Sequence, residues 1–259
     1  MDAEINTRTG TDRIRIERFN LLKVPLDIIP PEQLEDIIYD LLKTETGQNV
    51  ILLSLWDMLR ARNNSEYRPY VQRATMVIPI AKSLVGGARF LLKKKAYRYM
   101  PFDFVISLLS ILEKRELSLY LLGGRIRTLK RAEKNLRQTF PRLRIVGRFV
   151  GNFKHHEEPT ILQAIRKAAP SLLLVGRGVK GGERWIARND TGLNNGLRLW
   201  CSDLFDIFAE RKRRPSRRIF DRGLEWFGFC FQKPWRVFRI FPYFYYKLLL
   251  LSYRIFNLD

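Results

Sequence analysis

The sequence predicts an α/β fold: a mostly parallel, doubly wound, Rossmann-like sheet followed by a basic, aromatic-rich helical C-terminal appendage. Three observations predict it. Short apolar runs rich in Leu, Ile and Val recur along the body, each bounded by Gly, Pro or charge, as strands buried on both faces read. Amphipathic stretches of helical period lie between these runs, and strand–helix–strand alternation favours parallel pairing. The composition shifts once, near Arg211, where cations and aromatic rings take over.

The apolar runs, in order, are VILLSL (50–55), MVIPI (76–80), LSLYLLGG (117–124), LRIVG (143–147), SLLLVGRG (171–178) and LRLWC, which ends at Cys201. A helix is expected over 31–43, where proline opens the stretch and acids fill the first turn. Others are expected over 104–114, over 128–140 up to Pro141, over 157–169 up to Pro170, and over 203–213 leading into the tail. No internal repeat or low-complexity linker interrupts them. The chain therefore reads as one α/β core over 1–210 and an appendage over 211–259.

Charge sets this chain apart. Its 46% hydrophobic and 28% charged content is ordinary for a folded protein, but its formal net charge is +21. Such an excess implies a polyanionic partner: anionic lipid, nucleic acid or phosphate-bearing substrates. Between Arg211 and Phe256 twelve Lys/Arg stand against two acids, with Phe, Trp or Tyr every few residues. Cations interleaved with amphipathic rings suit an anionic membrane surface, and Arg217, Arg218, Arg222, Trp226, Trp235, Arg236 and Arg239 are the residues expected to meet it. The tail is not a membrane span, because Arg239, Lys247 and Arg254 interrupt it and Leu248–Leu251 is far short of the roughly 20 apolar residues a span needs. Nucleic acid is disfavoured: no binding module is recognisable, and the cations cluster with apolar bulk rather than on a polar helix. Cys201 and Cys230 sit among apolar neighbours and fit no metal spacing, so a reduced compartment is the simplest reading. No apolar signal core marks the N-terminus. The expectation is a cytoplasmic protein, peripheral on the inner face of the cell membrane, with self-association left open.

Sites in such sheets lie beyond the C-terminal ends of the strands. The turns there are LLGGR (121–125), VGRG (175–178) and the loop after Ile80. Gly123, Gly124, Gly176 and Gly178 allow close backbone approach and could present free N–H groups to a phosphate, or they simply make tight turns. His155 and His156, the only histidines, lack a third ligand at metal spacing, and neither metal nor cofactor is expected.

The ordered blocks LLGGR, AEKNLRQTFPRLRIVG (132–147), GNF (151–153), SLLLVGRG, ERWIARN (183–189), DLFDIFAERKRRPS (203–216) and RGLEWF (222–227), with Pro234 and Arg236 after them, make the chain resemble the WecG/TagA/CpsF glycosyltransferases, family 26. The resemblance runs from Val24 to about Phe241. It implies metal-free, inverting transfer of an N-acetylated hexosamine or another hexose. The donor is a UDP-sugar, the acceptor a polyprenyl-diphosphate-linked sugar, and the setting cell-envelope polysaccharide synthesis. It also implies an arginine-rich appendage that docks on the membrane and closes over the UDP phosphates.

Residue by residue, the resemblance carries Arg98 and Asp103 from an R-x-x-G-x-D motif, Asp206 from a late G-x-x-x-D motif, and Arg214 from an Arg-Ala-Pro motif, with Arg98, Asp206 and Arg214 as substrate-binding residues. Ser54 keeps the hydroxyl of a first-strand Thr-x-Asn, and Glu183 remains of a Pro-Lys-Gln-Glu. The family's proposed base, the aspartate of an Asp-Gly pair after the second strand, aligns with Ile80, which cannot take a proton. Asp103 is then the first substitute for the base and Asp57 the second. Asp103 has a plainer reading as the cap of a helix beginning at Phe104, and Glu183 as a first-turn acid favourable to its helix dipole. The alternative function is a catalytically inactive relative acting as a scaffold or partner in envelope-glycan assembly.

Overall fold

The computed structural model of the chain describes residues 16–44, 46–64, 66–193, 196–214, 216–223 and 240–256. The six apolar runs form β3 (Gln48–Leu53), β4 (Met76–Pro79), β5 (Ser118–Leu122), β6 (Arg144–Phe149), β7 (Leu172–Gly176) and β8 (Leu197–Ser202). They build one all-parallel sheet in the order β4-β3-β8-β7-β5-β6, flanked by helices, as expected for an α/β chain. Burial follows position in that order. The inner strand β7 is buried at every residue, whereas β6, at the sheet edge, alternates between exposed and half-buried positions.

Two strands come from outside the expected set. β1 (Glu17–Leu21) and β2 (Val24–Ile28) pair antiparallel as a separate hairpin, with Leu21 opposite Val24. Its turn uses Leu22 and Lys23, both at positive φ, rather than the Asn-Gly or Asp-Gly that marks such turns in sequence.

The helices are α1 (Leu34–Leu42), α2 (Leu55–Asn63), α3 (Tyr67–Arg73), α4 (Lys82–Leu92), α5 (Pro101–Lys114), α6 (Ile126–Thr139), α7 (Glu158–Ala168), α8 (Glu183–Arg188), α9 (Leu204–Phe208), α10 (Arg217–Arg222) and, at the end, α11 (Ile240–Phe256). The helices α2, α3 and α4 come from outside the expected set, and two expected helices have other bounds. α5 begins at Pro101, so Asp103 lies inside its first turn instead of capping it. α9 stops at Phe208, well short of Arg213. Glu210 is at φ +56°, and the amides of Arg211 and Lys212 both turn back to the Asp206 carbonyl (2.8 and 3.1 Å). That reversal folds the cationic run back instead of extending a helix.

The chain divides into two compact units, one of residues 1–31, 52–100 and 215–259, the other of 32–51 and 101–214, each as far as it is described. In the first, Asp27 is a buried keystone. Its carboxylate accepts from Arg18 (2.6 and 2.9 Å) and from the Val77 amide (2.6 Å), which fastens the hairpin to β4. The same unit seats α11 on α4 and α2. Tyr246 Oη donates to the Ser83 carbonyl (3.1 Å), Arg62 donates to Tyr253 Oη (3.1 Å), and Arg254 lies over Phe90. The second unit holds most of the sheet, with Trp185 and Arg198 among its largest fully buried side chains.

Candidate active site

Three glycine turns interlock in the second unit, at the exits of β5, β6 and β7. A Cβ on Gly123 would lie 2.8 Å from the Gly176 backbone, and Gly123 sits at φ +140°, so no side chain fits. Gly124 donates to the Arg177 carbonyl (2.5 Å) and Gly123 to the Phe149 carbonyl (2.9 Å), while Gly151 donates to the Gly124 carbonyl (3.0 Å). Gly178 packs beside Gly151, and the Phe205 ring closes on Gly176. The amides of Gly123 and Gly124, expected to be free for a phosphate, are thus spent joining the turns to one another. Their glycine identity comes from close approach, not from ligand donors.

What this floor delivers is the start of α6. That helix has no acid in its first turn, and its N-cap, Arg125, makes no side-chain cap bond. Arg125, Arg127 and Lys130 are exposed around it. A helix N-terminus ringed by cations favours anions on dipole and charge grounds together. The run after α9 returns to the same unit. Arg211 donates to Thr128 Oγ1 in α6 (3.0 Å), and Arg131 pairs with Glu210 (2.8 Å).

Arg214 closes this run. Its guanidinium is paired with the Asp103 carboxylate and lies 4.6 Å from the Phe102 ring centroid, which itself packs on Phe208. Asp103 therefore has a cation as its immediate partner. Asp203 collects two more, Lys212 (2.6 Å) and Arg177 (3.1 Å). Burial pushes its carboxyl up, but Lys212 and Arg177 outweigh that and hold it below the usual carboxylate range. Asp206 lies half-buried in the first turn of α9, and among the described residues no side chain pairs with its carboxylate. Glu183 opens α8 behind Gly182, and Glu158 accepts from Asn189 (3.1 Å) and His155 (3.0 Å).

The remaining candidates lie in the first unit. Ser54, at the exit of β3, caps α2. Its Oγ accepts from the Asp57 amide (3.2 Å) and donates to Asp57 Oδ2 (2.5 Å), and its amide also reaches Oδ2 (3.3 Å), a reciprocal capping box. Burial pushes the Asp57 carboxyl above the usual range, against the Ser54 hydrogen bonds and the Arg60 charge that pull it down. Ile80, half-buried, donates its amide to the Leu53 carbonyl (3.0 Å). Arg98 spans from the Ile80 carbonyl (2.9 Å) to the Phe220 carbonyl (2.7 Å) and stacks 3.5 Å from the Phe220 ring centroid. It therefore fastens α10 to the exit of β4.

Of the membrane-facing candidates, Arg217, Arg218 and Arg222 are exposed on α10. Trp226, Trp235, Arg236 and Arg239 lie outside the described residues. Sequence reading missed the other face of α11, where Phe241, Phe244, Leu248, Leu251, Ile255 and Phe256 are exposed. Their spacing of three to four residues was the available signal. Among the described residues no helix is long and apolar enough to cross a membrane, and no three His, Cys, Asp or Glu are grouped to hold a metal ion.

A family model described as the glycosyl transferase WecG/TagA/CpsF family matches residues 19–257. Among curated proteins the chain is similar to an N-acetylglucosaminyldiphosphoundecaprenol N-acetyl-beta-D-mannosaminyltransferase of Staphylococcus aureus strain MW2, at 20% identity over 93% of this chain and 95% of that protein. A protein of the same description from Bacillus subtilis strain 168 is 20% identical over 68% of each chain.

Proposed function

The chain belongs to the WecG/TagA/CpsF family of glycosyl transferases, and from that premise we propose that it moves an N-acetylated hexosamine or another hexose from a UDP-sugar to a polyprenyl-diphosphate-linked acceptor. The observation that carries this reading is the acid-free, cation-ringed start of α6 standing on the interlocked glycine turns. It supports binding of a diphosphate, which carries two adjacent negative charges. Gly123, Gly124, Gly176 and Gly178 shape the floor. Arg214, held ready by Asp103, is the cation we assign to the phosphates, since an arginine fork matches phosphate oxygens bidentately. The acceptor class follows the relatives, whose names specify a sugar on diphosphoundecaprenol.

A lipid-linked acceptor calls for a protein at the membrane surface. Exposed Arg217, Arg218 and Arg222 on α10, and the outward apolar face of α11, support that placement on an anionic leaflet. The deciding experiment is calorimetric UDP binding together with radiolabelled transfer from a panel of UDP-hexoses to a polyprenyl-diphosphate N-acetylglucosamine. Binding plus transfer is the expected result; absence of UDP binding refutes the reading.

One observation favours a second reading. By the family resemblance Ile80 aligns with the proposed base, and an isoleucine supplies no proton acceptor. A protein that binds UDP without transferring sugar would be a catalytically inactive relative, serving as scaffold or partner in envelope-glycan assembly.

A further inference from the structure

We propose that Asp206 is the general base of sugar transfer in this chain, supplying the proton acceptor that position 80 lacks; the role rests on the glycosyltransfer reading above. Seven carboxylates lie between residues 157 and 210. Six of them are engaged, Asp203 by two cations, Asp190 by Arg198 (2.8 Å) and Glu210 by Arg131. Asp206 is the exception among the described residues, and it is half-buried in a chain of net charge +21, where a carboxylate should find a cation easily.

The geometry explains why it does not. The backbone of Arg211 and Lys212 is tied to the Asp206 carbonyl, so both cations start beside it. Their side chains are drawn elsewhere: Lys212 to Asp203, Arg211 to Thr128. Arg177 is drawn to Asp203 as well. Asp203 thus acts as the sink for the cations that would otherwise neutralise Asp206. A neighbouring cation stabilises the charged carboxylate and weakens its hold on a proton, so the cation-paired carboxylates of this unit make poorer bases. Asp206 also follows Phe205, whose ring closes on Gly176, so the free carboxylate is one residue from the glycine floor. Its plainer role, an acid favourable to a helix dipole, is weak here because α9 has only five residues.

In the proposed step the acceptor hydroxyl oxygen bonds to the anomeric carbon as its proton passes to the Asp206 carboxylate. The bond from the anomeric carbon to the β-phosphate oxygen breaks, and its electron pair leaves with UDP. The proton is returned to solvent.

The test compares the parent, Asp206→Asn and Asp206→Glu for transfer from a panel of UDP-hexoses, for UDP affinity, and for melting temperature. Asp206→Asn should lower kcat by about 10²–10⁴-fold, with UDP affinity and melting temperature unchanged. Asp206→Glu should recover part of the rate, because it restores a carboxylate near the same place. Asp206→Asn keeping kcat within tenfold of the parent overturns the role. So does a loss of UDP affinity that accounts for the lost rate, which would make Asp206 a donor contact. A parent that binds UDP and transfers no sugar overturns the transfer reading itself, and this role with it.

Discussion

Gly123 and Asp27 show how single positions hold each unit. At Gly123 a Cβ would collide with the Gly176 backbone, and the φ of +140° is strained for any L side chain. Gly123→Ala should therefore destabilise the fold by about 1–3 kcal/mol, read as a lower urea midpoint, and disturb UDP binding as the turns separate. Asp27→Ala should also destabilise, by about 1–3 kcal/mol, because it leaves the half-buried Arg18 without its carboxylate and the buried Val77 amide without an acceptor. Asp103→Asn belongs to this scale too. It keeps the shape of the first turn of α5 and releases Arg214 from a negative partner, so UDP affinity should hold or rise by a few-fold, where loss of an essential ligand would cost tenfold or more. A fall of that size in calorimetric titration would count against Arg214 as the phosphate cation.

At the scale of elements, the seating of α11 on α4 explains a local oddity of sequence. Two adjacent glycines, Gly86 and Gly87, sit inside α4, where each costs roughly 1 kcal/mol of helix propensity relative to alanine. Gly87 is required by close approach, since a Cβ there would overlap the Tyr246 hydroxyl that bonds to Ser83. Burial pushes the Tyr246 phenol up, so the hydroxyl stays protonated as a donor. Gly87→Val should displace Tyr246, lower the melting temperature and speed proteolytic removal of α11, whereas Gly86→Val, facing open space, should do neither. The opposite face of α11 gives a separate prediction. Phe244→Ser with Leu248→Ser removes two exposed apolar side chains without touching the α4 contact. It should abolish most co-sedimentation with anionic vesicles and leave thermal stability intact, because each fully inserted side chain of this size contributes about 1.5–3 kcal/mol.

For the whole molecule, the proposed placement at a membrane makes the cationic surplus a matter of association rather than of fold. Binding to anionic vesicles should weaken steeply from 0.05 to 0.5 M salt, as screening shortens, with a residual part from α11 that salt does not remove. Substituting Arg217, Arg218 and Arg222 together by Ser should remove most of the salt-sensitive part, at about 1 kcal/mol for each cation near the surface. A vesicle affinity unchanged by these three substitutions would place the electrostatic contact elsewhere on the chain. Removing the tail altogether is the poorer test. Tyr246, Leu250 and Tyr253 are buried parts of the first unit, and their loss would expose α4 and α2.

The sequence by itself determined the six parallel strands, the helices α1, α5, α6 and α7, and the family. Those follow from runs of buried Leu, Ile and Val and from ordered motif blocks, which are local properties of the chain. It did not disclose the hairpin of β1 and β2, because Leu22 and Lys23 adopt positive φ without the residues that announce it, and Asp27 secures the hairpin from outside. It read Asp103 as base or cap, and the glycines as phosphate donors or plain tight turns. Only the tertiary structure decided that Arg214, 111 residues away, takes the Asp103 carboxylate, and that the glycine amides are taken by neighbouring turns. Whether a carboxylate is free or paired, and whether an N–H is open or used, depends on which distant groups the fold brings within about 3 Å, and no local pattern of residues carries that information.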